Sequence, residues 1–598
     1  MRDFQDNHAA HADKTLIKRL LKYLKPHRGE FIGAFFMMFI TIFTNLVLPL
    51  ATGWSIDYMT RTDVTNDQKM LALAVATLIG LVILMISVVV GFFQQRILQE
   101  IGQDVTHVMR KEVFEHIENL SIGQINLLPV GKLVTRATND PGNISDMFTN
   151  TIVNLLRNVL MMIVIAVVLL ILNWQMALLT FLTLPLILLA SSIFRKYSRT
   201  AYRNVRTNIS ELNGYLSENL SGMKITQIFN QEEKKVRNFK VLNDKLKKSY
   251  YREINTFGIY RPIIWLISMI ATILTVYFGV TTVIDGALSV GLFISFYIYV
   301  GQFFEPIQQI SEQFNALQNG FSSAEKIFDV LDTKPDIVDD VDAINLKKFD
   351  GQIEFKNVWF SYIEGEWILK DVSFKVNPNE TVAFVGATGS GKTTILQLIV
   401  RNYDIQKGQI LIDGIDIKTI KRSSLRKFVG QMLQDVFLFS GTIRDNITLG
   451  NPDITDEDIK RASNYVGLDY ILNKLPDGLD HVVKERGNNF SSGERQLISF
   501  ARAVVYNPSL MILDEATANI DSETETIIQE SLNKMMNIST MLIVAHRLST
   551  IQHSDRIIVM SKGEIVESGK HQELLKQNGL YYNLYQLQYD KKEGETHV

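Results

Sequence analysis

Long apolar runs alternate with polar, basic stretches through the first half of the chain. Each of six runs holds about 20 or more mostly apolar residues, which is the length that a helix needs to cross a bilayer. The runs lie near 31–55, 70–96, 150–172, 175–194, 258–284 and 287–308. The pattern therefore predicts six membrane-spanning helices, and the last two must accommodate Pro262 and Pro306.

The connections between the runs differ in length and in charge. The first, third and fifth are short, whereas the second and fourth are long, helical in pattern and basic. Their cationic residues include Arg110, Lys111, Lys132 and Arg136 in the second, and Arg195, Lys196, Arg199, Arg203 and Arg206 in the fourth. Positive residues favour the cytoplasmic side. We therefore predict a multi-pass protein of the cell membrane, with its N-terminus, both long loops and its second half in the cytoplasm.

A basic amphipathic segment precedes the first run. On a helix over residues 14–25 the apolar residues share one face, which comprises Leu16, Ile17, Leu20, Leu21 and Leu24. Basic amphipathic helices bind anionic membrane surfaces, so we expect membrane lipids to be partners of this segment. A soluble surface helix is the weaker alternative, because a spanning run follows directly.

Polar residues inside spanning helices usually face a cavity or a partner helix, because lipid cannot solvate them. The candidates are Asn45, Gln94, Gln95, Arg157, Asn158, Gln302 and Glu305. Glu305 is predicted near the inner leaflet or a cytoplasmic gate. There it either contacts a cationic substrate or has a structural role, as one partner of an interhelical ion pair, for example with Arg157, or by extending to the membrane interface. We favour a structural role.

The pattern changes near residue 340. Short β-branched runs at 353–355, 372–376 and 381–385 are the first of several strands that alternate with helical segments up to about residue 585. Such alternation predicts an α/β domain. We divide the chain into an amphipathic helix at 1–28, a transmembrane domain at 29–325, a linker at 326–347, the α/β domain at 348–586 and a tail at 587–598.

A glycine-rich segment follows the third of these strands and precedes a helical run. It consists of Gly386, Ala387, Thr388, Gly389, Ser390, Gly391, Lys392 and Thr393, and Thr394 comes next. Between a strand and a helix this pattern forms a phosphate-binding P-loop, in which backbone N–H groups and the helix N-terminus attract the anion. We predict a nucleoside triphosphate site, with Lys392 on the β- and γ-phosphates and the Thr393 hydroxyl on Mg²⁺.

Several further residues fit the same site. Asp514 and Glu515 end an apolar strand, which places Asp514 towards Mg²⁺ and leaves Glu515 to orient or deprotonate water. Gln434 is a candidate for contact with the metal and the attacking water, and His546 for contact with the γ-phosphate. Tyr362, ahead of the P-loop, is a candidate for stacking on a purine, although an ordinary strand tyrosine explains it equally well.

A second predicted anion site opens a helical run further along the chain. It comprises Ser491, Ser492, Gly493 and Glu494. Because the chain already has one complete phosphate cradle, we expect this turn to close on nucleotide held by another subunit.

Composition removes several other classes of function. The chain has no cysteine, which excludes disulfides, thiol catalysis and cysteine-ligated zinc. Its 61 lysine and arginine residues nearly balance 63 acidic ones, for a net charge of −2. Without a basic excess, no nucleic acid is predicted as a partner.

Taken together, these features resemble a half-transporter of the ABC exporter class (type IV, subfamily B-like). In that family's terms, the segment 386–393 resembles Walker A and Asp514-Glu515 the end of Walker B. Gln434 resembles the Q-loop residue and His546 the H-loop residue. The fold class implied is a six-span α-helical membrane domain followed by a cytosolic α/β P-loop NTPase domain of ABC type.

The resemblance extends to motifs with less distinctive chemistry. Tyr362 resembles the base-stacking A-loop residue, Asp521 lies in the D-loop, and 490–494 resembles the signature motif. It implies an ATPase that uses ATP and Mg²⁺ and works by alternating access, in which two chains close over two ATP molecules. It also implies short coupling helices in the long loops, near Ser121–Gln124 and near Asn213–Ser217.

The signature departs from the family's usual Leu-Ser-Gly-Gly-Gln. A Cβ at Ser492 crowds a backbone that must approach the γ-phosphate, and Glu494 adds negative charge beside the phosphates. A weakened signature beside an intact Walker B resembles the intact-glutamate subunit of bacterial heterodimeric multidrug exporters. The resemblance therefore implies a heterodimer with a second half-transporter whose Walker B is degenerate, rather than a homodimer.

The function implied is ATP-driven export of amphipathic drugs or other hydrophobic small molecules across the plasma membrane. A lipid flippase or exporter of the same architecture is the nearest alternative, and a homodimeric multidrug exporter is another. An ATP-gated channel or regulatory subunit is disfavoured, because Glu515 and His546 form an intact catalytic set.

Overall fold

A computed structural model describes residues 14–514, 522–536, 539–544 and 551–595. The chain divides into two compact units. Unit 1 comprises Met1–Glu118 and Val130–Thr333, and unit 2 comprises Asn119–Pro129 and Lys334–Val598.

The first half of the chain is helical. In chain order its helices are α1 Lys14–Leu24, α2 Arg28–Thr60, α3 Asn66–Asn119, α4 Ile122–Leu127, α5 Val130–Asp146, α6 Val153–Leu172, α7 Trp174–Phe181, α8 Leu184–Ser221, α9 Met223–Ile228, α10 Glu232–Ile284 and α11 Val290–Asp332. Within the described residues, six helical segments are long and apolar enough to cross a membrane. This confirms the prediction of six spans.

Most spans continue well beyond their apolar cores. Helices α3 and α10 have 54 and 53 residues, because the polar sequence next to each span keeps helical periodicity. Helix α6 is preceded by a π-helical turn over Met147–Ile152. The fourth span is interrupted between α7 and α8, where the Thr183 hydroxyl donates to the carbonyl of Thr180 at 2.7 Å.

One short loop helix lies where it was expected and the other does not. Helix α4 begins directly after Ser121, whereas the residues Asn213–Ser217 lie inside α8, so that prediction was wrong. The second short helix is α9, about two turns later. Helix α8 continues because it pairs with α10, through a hydrogen bond of 2.6 Å from Asn208 to Ser249.

The basic amphipathic segment forms α1 as predicted. Its Leu20 is buried against a cluster in unit 1 that includes Met109 and Phe328, whereas Leu21 stays 54% exposed. Arg19 pairs with Asp332 of α11 at 2.6 Å. Only part of the apolar face is therefore available to a membrane surface.

Hydroxyl groups join α11 to α2 in the membrane unit. Pro49 interrupts the backbone hydrogen bonds of α2. The Ser295 hydroxyl donates to the carbonyl of Pro49 at 2.8 Å, and the Tyr299 hydroxyl donates to the carbonyl of Leu46. These two hydroxyls are thus satisfied by a neighbouring helix inside the membrane unit, where lipid offers no hydrogen-bond partner.

The same two helices touch closely at the N-terminal end of α11. A Cβ added at Gly291 would overlap the carbonyl oxygen of Gly53. Asp57 accepts hydrogen bonds from the Gly291 N–H at 2.6 Å and from the Ser289 hydroxyl at 2.5 Å. The carboxylate therefore binds the positive end of α11, where a negative charge is stabilising.

The ion pair between Glu305 and Arg157, one of the structural roles considered for Glu305, is absent. Among the described side chains, no ion pair within 4.0 Å joins them, and both residues are exposed. Glu305 instead accepts a long hydrogen bond of 3.4 Å from the Gln309 amide, one turn further along α11. Only the pairing with Arg157 was wrong, because residues on two helices need matching rotations to meet, which a hydrophobicity pattern does not specify.

Unit 2 holds the strands. They are β1 Ile353–Ser361, β2 Trp367–Val376, β3 Thr381–Gly386, β4 Lys407–Ile412, β5 Ile415–Asp416, β6 Val429–Met432, β7 Gly441–Thr442, β8 Val482–Val483, β9 Leu510–Asp514, β10 Thr540–Val544, β11 Arg556–Ser561 and β12 Glu564–Gly569. The three strands predicted first are confirmed as β1, β2 and β3.

Nine described helices accompany these strands. They are α12 Lys392–Ile399, α13 Arg422–Arg426, α14 Ile443–Thr448, α15 Asp456–Tyr465, α16 Asp469–Leu472, α17 Ser492–Val505, α18 Ser522–Met535, α19 His571–Gln577 and α20 Leu580–Glu595. The order of strands and helices confirms the α/β fold class.

The main sheet has the order β12-β11-β3-β10-β9-β6 among the described strands. Strands β11, β3, β10, β9 and β6 are parallel, and β12 is an antiparallel edge. All residues of β9 and β10 are buried, as expected for strands covered on both faces. A second, antiparallel sheet has the order β2-β1-β4-β5.

Candidate nucleotide-binding site

The carboxyl ends of the parallel strands meet at one edge of the main sheet. Strand β3 ends at Gly386, β9 ends at Asp514, and Gln434 comes two residues after the end of β6. Ligands of parallel α/β sheets bind at this edge. The sheet therefore brings together residues that are up to 128 positions apart in the chain.

The loop from β3 to α12 requires glycine at two positions for different reasons. Gly391 has φ of +102°, in the left-handed region that favours glycine. A Cβ at Gly386 would overlap the carbonyl oxygen of Met560 on the neighbouring strand β11. Backbone strain and close packing thus explain why these positions of the P-loop carry no side chain.

Two polar side chains point into this loop. The Lys392 ammonium group donates to the carbonyls of Gly386 and Ala387, at 2.9 and 3.0 Å. The Ser390 hydroxyl is buried and has no hydrogen-bond partner among the described residues. A buried polar group without a partner costs free energy, and an anion in the cradle would satisfy it. The residues present therefore fit a bound phosphate.

A hydroxyl and a carboxylate lie together beside the loop. The Thr393 hydroxyl, on the first turn of α12, donates to Asp514 at 3.4 Å. Asp514 is 8% exposed and ends the fully buried strand β9. Hard oxygen ligands of this kind suit Mg²⁺, which typically takes one or two carboxylates together with phosphate oxygens.

Tyr362 lies just after β1 and is 48% exposed. Its hydroxyl is 3.2 Å from that of Thr394, on α12. Its ring contacts the rings of Phe360 and Tyr403 edge-on, with centroids 4.8 and 5.0 Å apart. Burial raises the pKa of the Tyr362 phenol, which is neutral near pH 7 even without this shift.

The signature segment forms a helix N-terminus. Ser491 is the N-cap of α17, and its hydroxyl accepts the Glu494 N–H at 3.2 Å. The Glu494 carboxylate accepts the Ser491 N–H in return, at 2.7 Å. Phe490 is buried behind the turn, whereas Ser491 is exposed. The turn is therefore held by a capping box that the sequence analysis did not identify, although the Ser-x-x-Glu spacing indicates one.

Three predicted residues lie outside the described part of the chain: Glu515, Asp521 and His546. Strand β9 ends one residue before Glu515, and β10 ends two residues before His546. Gln434 is exposed after β6. Sequence reasoning missed Tyr403, whose ring contacts Tyr362, because no motif marks it.

Six spanning helices followed by a P-loop domain define an ATP-driven membrane transporter. Two family profiles match the chain: "ABC transporter transmembrane region" over residues 31–307 and "ABC transporter" over residues 369–518. The chain belongs to the ABC transporter family.

Curated relatives match nearly the whole chain. It is 38% identical, over 86% of its length and 76% of the relative, to a Bacillus subtilis protein called probable multidrug resistance ABC transporter ATP-binding/permease protein YheH. It is 33% identical, over 97% of its length and 96% of the relative, to an ATP-dependent lipid A-core flippase of Syntrophus aciditrophicus.

A solved structure has the same fold. It is a bacterial Atm1-family ABC exporter with ATP bound, which matches with a TM-score of 0.76 and 27% identity, over 94% of this chain and 98% of that one. The chain is thus an ABC exporter with an ATP-binding domain that couples ATP hydrolysis to transport, and an exporter of this fold works as a dimer.

Proposed function

We propose that this chain is one half of a heterodimeric exporter that moves amphipathic drugs or other hydrophobic compounds across the plasma membrane by alternating access. The observation that carries the proposal is the site at the edge of the main sheet, where a phosphate cradle and the Thr393–Asp514 pair adjoin. Its relative from Bacillus subtilis, named as a probable multidrug resistance transporter, supports drugs as the cargo.

Each site residue has a proposed role. Lys392 and the loop from Gly386 hold the phosphates, and Thr393 and Asp514 hold Mg²⁺, which neutralises charge on the phosphates when bound. Glu515 orients or deprotonates the attacking water. Gln434 contacts the metal and the attacking water, and His546 contacts the γ-phosphate. Tyr362 stacks on the base, and Asp521 lies at the dimer interface.

Orientation and pairing complete the proposal. The basic long loops support a cytoplasmic N-terminus and a cytoplasmic unit 2. Ser492 in the signature supports a partner chain, because its Cβ lies where the family carries glycine. The partner would be a second half-transporter with a degenerate Walker B, and this chain would supply the intact one.

A lipid flippase is the second candidate. The relative from Syntrophus aciditrophicus, named as a lipid A-core flippase, supports it. Head groups of anionic lipids need cationic partners in the cavity, and Arg157 is a candidate from the predicted spans. Export of drugs is favoured because so few charged residues lie in those spans.

The deciding experiment uses the chain reconstituted in vesicles with its candidate partner. ATP hydrolysis and uptake of the dye Hoechst 33342 are measured alongside translocation of a fluorescent phosphatidylethanolamine. We expect dye transport and hydrolysis to be abolished together by Glu515→Gln. Movement of the lipid but not of the dye would establish the flippase instead. A Glu515→Gln variant that hydrolyses ATP at the original rate would refute the catalytic assignment.

A further inference from the structure

Tyr403 lies between two parts of unit 2 that are far apart in sequence. On one side its ring contacts Tyr362 edge-on, with centroids 5.0 Å apart, and Phe360 with centroids 5.7 Å apart. On the other side it faces α4. Tyr403 therefore touches both the ring proposed to stack on the base and this short loop helix.

The contact with α4 is close. A Cβ at Gly123 would lie 2.7 Å from the Cε1 atom of the Tyr403 ring, nearer than real Cβ atoms approach. The amide of Asn126 donates to the Tyr403 hydroxyl at 3.5 Å. The ring is thus seated directly on the backbone of α4, in a space that only glycine leaves open.

Helix α4 is itself well held. Ser121 caps its N-terminus in a capping box with Gln124. The Gln124 amide nitrogen donates to the carbonyl of Lys334 at 2.8 Å, and its oxygen accepts the Asp336 N–H at 3.2 Å. Because the capping box keeps α4 intact, a displacement of the Tyr403 ring would shift the helix as a unit, against the restraint of its bonds to Lys334 and Asp336.

The backbone of Tyr403 is anchored to the P-loop helix. Tyr403 comes four residues after the end of α12. Beside it, Arg401 is 4% exposed and pairs with Asp404 at 3.0 Å and with Asp339 at 3.5 Å. Asn402 accepts a hydrogen bond of 2.9 Å from Arg426. These contacts hold the main chain at Tyr403 in place. Its ring is therefore the part that can change orientation when Tyr362 or α4 moves.

We propose that Tyr403 is a positioning residue that makes the position of α4 depend on the base bound at Tyr362. The inference rests on the proposed function in one respect, the stacking of a purine on Tyr362. A base on the exposed face of Tyr362 fixes the tilt of that ring, the edge contact passes the tilt to Tyr403, and Tyr403 passes it to Gly123. Because α4 joins α3 to α5 in the chain, its position bears on two helices of the membrane unit.

The test measures the change in environment at the end of α4 directly. The chain has no cysteine, so a single Leu127→Cys substitution gives one labelling site at the end of α4, where the side chain is 82% exposed. An environment-sensitive fluorophore is attached there in the full-length reconstituted transporter. Its emission is recorded with Mg-ATP and with Mg-UTP, both at saturation as judged from binding measured in the same sample.

We expect ATP to change the emission and UTP to change it about fivefold less, within the range of ordinary coupling between sites. Gly123→Ala forces the Tyr403 ring aside and should remove the difference between the nucleotides. Gly131→Ala is the matched control, because nothing lies within 4 Å of its added Cβ, and it should keep the difference. Tyr403→Phe keeps the aromatic ring and should keep most of the difference in emission between ATP and UTP.

Combining Gly123→Ala with Tyr403→Leu tests the contact itself. If the methyl group acts through the ring, the double variant should resemble Tyr403→Leu alone, which is the non-additive result expected of residues in contact. Additive effects of the two substitutions would overturn the proposal. It would also be overturned if ATP and UTP changed the emission equally in the unmodified chain, or if their difference survived in Gly123→Ala. Loss of dye transport with the emission response intact would count against the proposed function alone.

Discussion

At the scale of single residues, the Glu494 carboxylate is committed to its own helix. It accepts the Ser491 N–H at 2.7 Å and lies in the first turn of α17, where negative charge is stabilising. Capping boxes accept Glu or Gln at this position, so glutamine can make the same contact. We therefore propose that Ser492 is the departure from the family signature that matters more, because its Cβ is fixed to the backbone and cannot turn away.

Substitutions at Ser492 and Glu494 should separate the effect of the Ser492 Cβ from the effect of the Glu494 charge. In the chain purified alone, we expect Ser492→Gly to raise the ATPase rate about tenfold, equivalent to about 1.4 kcal/mol of barrier. Glu494→Gln should leave the rate and the thermal stability unchanged. Glu494→Ala should lower the free energy of unfolding by about 0.5–1 kcal/mol through loss of the cap.

Steady-state hydrolysis and thermal unfolding in detergent measure these outcomes. A rate gain from Glu494→Gln as large as that from Ser492→Gly would show that charge, rather than the Cβ, weakens the signature. Fast hydrolysis by the unmodified homodimer, with no gain from Ser492→Gly, would contradict the heterodimer.

The sequence predicted that several candidate site residues meet at one sheet edge, because these residues follow strands. Gly386 and Asp514 are each marked by a buried run that ends at the same edge of a parallel sheet. Tyr403 could not be predicted, because its contacts join positions 123, 362 and 403, and no periodicity connects them. The Ser491–Glu494 capping box was readable from its spacing but was interpreted only as an anion site.

At the scale of helices and strands, hydrophobicity located the spans but not their ends. The length of an apolar run shows which residues can lie in the bilayer. The polar extensions of α8 and α10 stay helical through contacts with each other, which such a run does not reveal. Lys245 pairs with Glu211 at 2.6 Å across these helices. Such pairing kept α8 helical through residues 213–217, where a separate short helix was predicted.

The close approach of α2 and α11 gives a prediction for these elements. Gly291→Ala places a methyl group against the carbonyl of Gly53, which should separate the helices and stretch the hydrogen bonds to Asp57. Overpacking of this kind destabilises by about 1–3 kcal/mol. Thermal unfolding of the purified transporter in detergent measures the loss.

Gly301→Ala is the matched control on the same helix. Nothing lies within 4 Å of its added Cβ, and alanine favours a helix more than glycine does. We expect this variant to be as stable as the unmodified chain or slightly more so. Equal stability of Gly291→Ala and Gly301→Ala would show that α2 and α11 accommodate the added methyl group without any loss of stability.

At the scale of the whole molecule, large apolar surfaces are exposed in two different settings. The most apolar stretch of α3 has none of its residues buried, as a lipid-facing helix requires. Helix α9, in contrast, lies in the long basic connection that we place in the cytoplasm. Its Ile225 and Ile228 are 65% and 64% exposed, and Phe229 just after it is 69% exposed. Exposed apolar groups away from lipid mark an interface, and an ABC exporter works as a dimer.

We therefore expect a second chain to cover α9. Burying an isoleucine side chain contributes about 1.5–3 kcal/mol, so Ile225→Asp or Ile228→Asp should weaken the dimer at least tenfold and reduce ATP hydrolysis at low protein concentration. Gln227→Asp, an exposed polar position on the same helix, should change neither. Single-molecule photobleaching in nanodiscs counts the subunits at each concentration. Dimers that persist in both isoleucine variants, with hydrolysis unchanged, would place α9 outside the dimer interface.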